Sequence, residues 1–176
     1  MARSNQMPRG NSGVVISNGF TAEHFGGEAG VWRTVLTATS ATMPAIAGGA
    51  ALGVGRLAMT FPAGVKIVQG SAISLGLTQT QGNVNANTPV LGLGTVVASG
   101  AVSVLSGTAT FQNIMAGSAV ANCTGTQLVN QVNTGLVIPA ADAGTVFVNT
   151  AGTWAASGDA GLLIRGFAVI MWAELT

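Results

Sequence analysis

One stretch limits what this chain can become more than any other: GLLIRGFAVIMWAEL, Gly161–Leu175. Side chains of a strand alternate. As a strand, this run puts Leu162, Ile164, Ala168, Ile170 and Trp172 on one face, and Leu163, Phe167, Val169, Met171 and Leu175 on the other. A strand apolar on both faces belongs between two sheets or beneath a neighbouring subunit. A buried helix is the competing form, because periodicity does not separate the two when nearly every position is apolar. Gly166 at the centre, with β-branched Ile164, Val169 and Ile170 around it, favours the strand.

The rest of the sequence supplies partners for such a strand. VWRTVLTATSATM, from Val31, is rich in Thr and Val and suits a half-exposed pleated surface, with Trp32 as an anchor either in the core or against a partner. Leu57, Met59 and Phe61 alternate, and FPAG (Phe61–Gly64) is a turn signal. In VKIVQGSAISLGL, Val65, Ile67, Ile73, Leu75 and Leu77 are expected on one face, with Lys66, Gly70, Ala72, Ser74 and Gly76 opposite and a bulge at Gln69-Gly70. Gly92 and Gly94 alternate with Leu91 and Leu93, so one face of that strand is bare backbone fit for close packing. Residues 116–134 read as a long loop or weak edge strands. GLVIP and TVFVN complete about nine short strands separated by turn residues, which predicts an all-β antiparallel sandwich or related jelly roll spanning residues 31–176. Residues 1–30 read as a flexible N-terminal arm with Arg3 and Arg9, a short strand at Val14–Ser17, and a loop from Asn18 to Gly30.

Charge narrows the function. Only 6% of residues are charged, against about 25% in an ordinary soluble domain, and no Asp, Glu, Lys, Arg or His occurs from Ile67 to Ala141. Contact with other subunits is easiest where no ionised group needs desolvating, so much of this surface is expected to be covered. Six Lys and Arg with a net charge of +1 form no basic stripe, which speaks against nucleic acid as a partner. Thr34–Gly55 is uncharged but too diluted by Thr, Ser, Gly and Pro44 for a membrane span, and no apolar segment follows the N-terminal arginines to make a signal peptide. The expectation is a protein made in the cytoplasm, with neither membrane nor nucleic acid as partner.

Chemistry is sparse. One His, one Cys and five carboxylates are the inventory, with no Tyr. Glu23, His24 and Glu28 form the only dense polar group; metal ligation there needs a helix and a third ligand, and Gly26-Gly27 between them argues against a helix. Gly53-x-Gly55-x-x-Ala58 lacks the acid that a dinucleotide site needs some twenty residues later. Nothing beside Cys123 in sequence would lower its pKa, and Asp142 and Asp159 sit in ordinary turns. The expectation is no enzyme, no cofactor and no metal.

The order of segments resembles the small all-β head proteins of tailed bacteriophages, usually regarded as capsid decoration (cement) proteins. The likeness covers residues 31–175 and rests on Phe61, Pro62 and Gly64 of the FP-G turn, Gly94-Thr95, Asn149 in GTVFVN, and Trp172 in the closing strand. The long loop AGTWAASGDAG and Arg165 within the last strand depart from it. The resemblance implies a homotrimer on the outside of the head, bridging subunits of the major capsid protein and assembled in the host cytoplasm. On that footing Arg3, Arg9, Glu23, His24, Glu28 and Trp32 are expected at the capsid, and Phe167, Val169, Met171 and Trp172 in packing between subunits, with the uncharged middle carrying trimer contacts. The alternative is a head fibre or a receptor- or glycan-binding sandwich, for which Trp154 would be an exposed aromatic.

Overall fold

In the computed structural model, which describes residues 14–16, 19–26 and 30–175, ten strands follow in order. They are β1 (Val14–Ile16), β2 (Phe20–Gly26), β3 (Val31–Thr42), β4 (Gly53–Thr60), β5 (Val65–Thr78), β6 (Val90–Gly94), β7 (Met115–Ala119), β8 (Thr124–Ile138), β9 (Thr145–Ala151) and β10 (Leu163–Leu175). Two short 3-10 turns, Leu105–Gly107 and Ala109–Phe111, lie between β6 and β7, and the described residues contain no α-helix. The strands make a six-stranded antiparallel sheet, β1-β2-β3-β10-β5-β8, and a four-stranded one, β4-β9-β6-β7. From β3 onward every connection except β6 to β7 changes sheet, so the layers are laced together along the chain. The fold is an all-β sandwich. The six-stranded sheet reaches back through β2 and β1, upstream of the boundary expected at residue 31.

The apolar run is β10, and it lies inside the larger sheet, between β3 and β5. Its inward residues Ile164, Ala168, Ile170 and Trp172 are buried against the other layer. Each large one contributes about 1.5–3 kcal/mol by leaving water. The outward residues are not covered by this chain: Phe167 is 47% exposed and Met171 38%. Of the two positions open to a strand apolar on both sides, this chain fills one and leaves the other open.

Gly166 makes the centre of β10 possible. Its φ of 123° is one that L side chains rarely adopt, and a Cβ there would run into the Ser74 carbonyl oxygen. Beside it the β3–β10 register slips between Ile164 and Gly166, two residues of β3 facing one of β10. The bareness of β6 also has its cause, because a Cβ on Gly94 would enter the Phe111 backbone and one on Gly92 would come within 3.0 Å of the Met115 carbonyl oxygen.

The bulge expected at Gln69-Gly70 is present and has a larger effect than foreseen. Register slips on both sides of β5, with Gln69 extra relative to β10, where Met171 pairs with Gly70 and Trp172 with Val68. A one-residue slip exchanges the faces of a strand. Lys66 and Val68 therefore point inward before the bulge, and Ser71, Ile73, Leu75 and Leu77 after it. The expected grouping of Val65 and Ile67 with Ile73, Leu75 and Leu77 fails for this reason, since all five share one parity and the bulge reverses parity between them. Residues 116–134 hold most of two edge strands, β7 and β8, and β8 is 15 residues long.

Candidate interaction surface

The residues expected to be functional divide between the two faces of the six-stranded sheet. On the inner face, Trp172 is fully buried and stacks on Trp32, with ring centroids 5.7 Å apart and 15° between planes. Phe61 meets it edge-on at 5.2 Å, so the FP-G turn and the closing-strand tryptophan are packed together. Trp32 is 7% exposed and belongs to the same core. Neither indole is available to another subunit. The expectation of Trp32 at a capsid and Trp172 between subunits is corrected: both fall at inward positions of strands whose inner face the second sheet covers. Lys66 enters this region too, donating to the Ala63 carbonyl at 2.7 Å and pairing with Glu174 at 3.2 Å, its Nζ 5.8 Å from the Trp172 ring.

Glu23 and His24 lie on β2, not in a loop. The alternation of Phe20 and Ala22 inward, bounded by Gly19 and Gly26, is a strand signal hidden by the polar residues between them. Neighbours on a strand face opposite ways, so Glu23 and His24 do not converge. His24 Nδ1 is 2.7 Å from Thr34 Oγ1, and that hydroxyl accepts from Trp172 Nε1 at 2.8 Å. The Thr34 proton is then free to go to Nδ1, which fits a neutral imidazole; burial lowers the His24 pKa in the same sense. Arg3, Arg9 and Glu28 lie outside the described residues. Among those described, no three His, Cys, Asp or Glu side chains gather where a metal could be held, and no helix is long and apolar enough to cross a membrane.

Other polar groups hold the scaffold together. Asp159, 2% exposed, accepts from the Thr80 amide and hydroxyl and from the amides of Gln81 and Gly161. Burial pushes its carboxyl up; these hydrogen bonds outweigh that and hold its pKa below the ordinary value. Asn149, fully buried, donates to the Val96 and Phe111 carbonyls and accepts from the Ala98 amide, fastening the loop after Gly94-Thr95 onto β9. Cys123 is buried with its thiol pushed up to about 11, first by desolvation and then by the Asp159 charge. Trp154, the exposed aromatic of the glycan-binding alternative, is 6% exposed and donates its Nε1–H to the Leu52 carbonyl. A buried, hydrogen-bonded indole offers no face to a sugar ring, and that alternative loses its residue.

What remains open is the outer face. The strand registers set its side chains in three cross-strand rows: Phe25-Arg33-Met171-Gly70-Asn133, Glu23-Val35-Val169-Ala72-Gln131, and Thr21-Thr37-Phe167-Ser74-Val129. Gly70, Ala72 and Ser74 are small, so β5 forms the floor of a trough. Met171 and Phe167 stand on one side of it, Asn133, Gln131 and Val129 on the other. Two open depressions of about 300 and 330 Å³ lie along this floor. Val129 is 76% exposed and Val137, further along β8, 54%. Only Glu23 and Arg33 carry charge in these rows, and the Arg33 guanidinium lies over the Phe25 ring at 5.1 Å. Of the expected contact residues, the fold gathers Phe167, Val169, Met171 and Glu23 on this one surface. Sequence reasoning missed Val35 and Val129, whose places follow from strand pairing. No protein-family model, no curated protein and no solved structure matches this chain.

Proposed function

We propose that this protein is a structural virion component that decorates the outside of a tailed-phage head, binding the major capsid protein and stabilising its lattice. The observation that carries the reading is the open outer face: an apolar, nearly charge-free trough on a rigid sheet, with Phe167 and Met171 left in water by the single chain. A surface of this kind marks a place where another protein packs. The fold is held together by its own core and hydrogen bonds, which suits a rigid block. The resemblance in the FP-G turn, Gly94-Thr95, Asn149 and Trp172 supplies the phage-head context. Many identical weak contacts on a lattice add up to firm attachment.

The test is stripping and adding back. Heads lacking the protein should assemble but break under heat or osmotic shock, and added protein should restore resistance at a fixed copy number per capsid. Phe167→Glu with Met171→Glu, on the outer face, should leave the fold intact and remove that restoration. Equal robustness of heads with and without the protein, or binding that never saturates, sinks the reading.

A further inference from the structure

The edge of the six-stranded sheet carries an inference that stands apart from the capsid reading. Among the described residues, β8 is paired to β5 alone, and no loop hydrogen-bonds to its other side. Register slips leave Gly125-Thr126 and Thr134-Gly135 extra on β8. Between them, over residues 127–133, alternate backbone amides and carbonyls face away from β5; the Gln131 amide donates to Asn130 Oδ1, and no other strand or loop hydrogen-bonds to this side. Natural edges of this length are blunted by lysines, prolines or inward charges. TGTQLVNQVNTGLVI contains none of them. The inner row of β8 is also unfinished: Leu128, Val132 and Leu136 touch the core yet are only partly buried.

We propose that β8 pairs antiparallel with β8 of a second copy, about a twofold axis at Val132, making one continuous sheet across two chains. The sequence is self-complementary about that point. Leu128 meets Leu136 of the second copy, Val132 meets its counterpart, and on the outer row Gln131 meets Asn133. The half-covered apolar row becomes a shared core, and no like charges are brought face to face. A threefold ring would instead need β8 to meet a different edge. Among the described residues, the opposite edge of the same sheet, β1, offers three residues against fifteen. An isologous contact uses the same strand twice, so the lengths match. The trimer implied by the phage resemblance is not what this edge favours.

Solution mass and a single cysteine test the pairing. Wild-type protein should sediment at twice the monomer mass. Val132→Cys should form a disulfide-linked dimer in most chains under mild oxidation, since residues facing each other across a sheet axis lie within disulfide reach. Cys123 is buried and will stay silent, and Thr37→Cys on β3 should remain unlinked. Gln131→Lys with Asn133→Lys should give monomers, because each lysine then faces another. Gln131→Lys with Asn133→Glu should restore the dimer, which separates lost pairing from lost folding. A monomer at every concentration, a trimer in which Val132→Cys does not cross-link, or no rescue by the Lys–Glu variant each overturns the proposal. A strand of different sequence as the true occupant would show as the first of these. Failure of head stabilisation would leave the pairing untouched, and failure of pairing would leave the decoration reading in place.

Discussion

Adjacent residues on β9 show how burial of a polar group depends on its partners. Asn149 and Thr150 are both fully buried. Asn149 satisfies three backbone groups, whereas Thr150 Oγ1 has no hydrogen-bond partner. Removing the first strands the Ala98 amide and two carbonyls; removing the second relieves an orphan. Asn149→Ala should therefore lose about 3 kcal/mol and Thr150→Val should gain about 1 kcal/mol, read from denaturant midpoints. His24 adds a pH signature. Its folded pKa lies below the ordinary value near 6.5, so the unfolded chain takes up a proton first. The stability it contributes is complete above that pH and is lost as pH falls through the lower, folded value. Asp159 acts the same way below its ordinary 3.8, where the depressed carboxyl finally protonates. Denaturation followed from pH 7 to 3 should decline in two stages, and His24→Gln should remove the upper one alone.

At the level of strands, irregularities decide which residues the core receives. The Gln69 bulge turns β5 over midway, so Lys66 and later Ile73, Leu75 and Leu77 can all point inward from one strand. Gly166 plays the matching part on β10, where positive φ lets the chain pass the Ser74 carbonyl. Gly166→Ala would force a Cβ into that oxygen as well as strain the backbone. It should destabilise by about 3 kcal/mol in the same denaturant assay. A gain or no change would mean that β5 and β10 can part at no cost, contrary to their unbroken pairing from Leu163 to Met171.

At the scale of the whole molecule, ionised groups are few and those described are mostly engaged locally. Lys66 pairs with Glu174, Arg56 donates to the Thr42 carbonyl, and Asp159 is capped by amides. Surfaces left for association are apolar or amide-bearing. Added sodium chloride screens charge but does not weaken apolar contact. Self-association should thus be unchanged or stronger between 0.05 and 1 M salt, about a twentyfold rise in ionic strength and roughly a 4.5-fold drop in Debye length. Association weakened by salt, measured by sedimentation, would show that charges hold the copies together.

Period-two alternation and turn residues determined much of this fold before any coordinates. The central strand, the bare face of β6 and the all-β class follow from side-chain spacing and backbone freedom, which are local properties. Facing is different. A single bulged residue exchanges the two sides of a strand, and a covering sheet is contributed by distant segments. Only the tertiary structure could place Trp32, Trp154 and Trp172 inside, read β2 as a strand, and align Val35, Val169 and Val129 on one open surface. Those outcomes depend on register between strands far apart in sequence, and nothing in the spacing of a single strand encodes it.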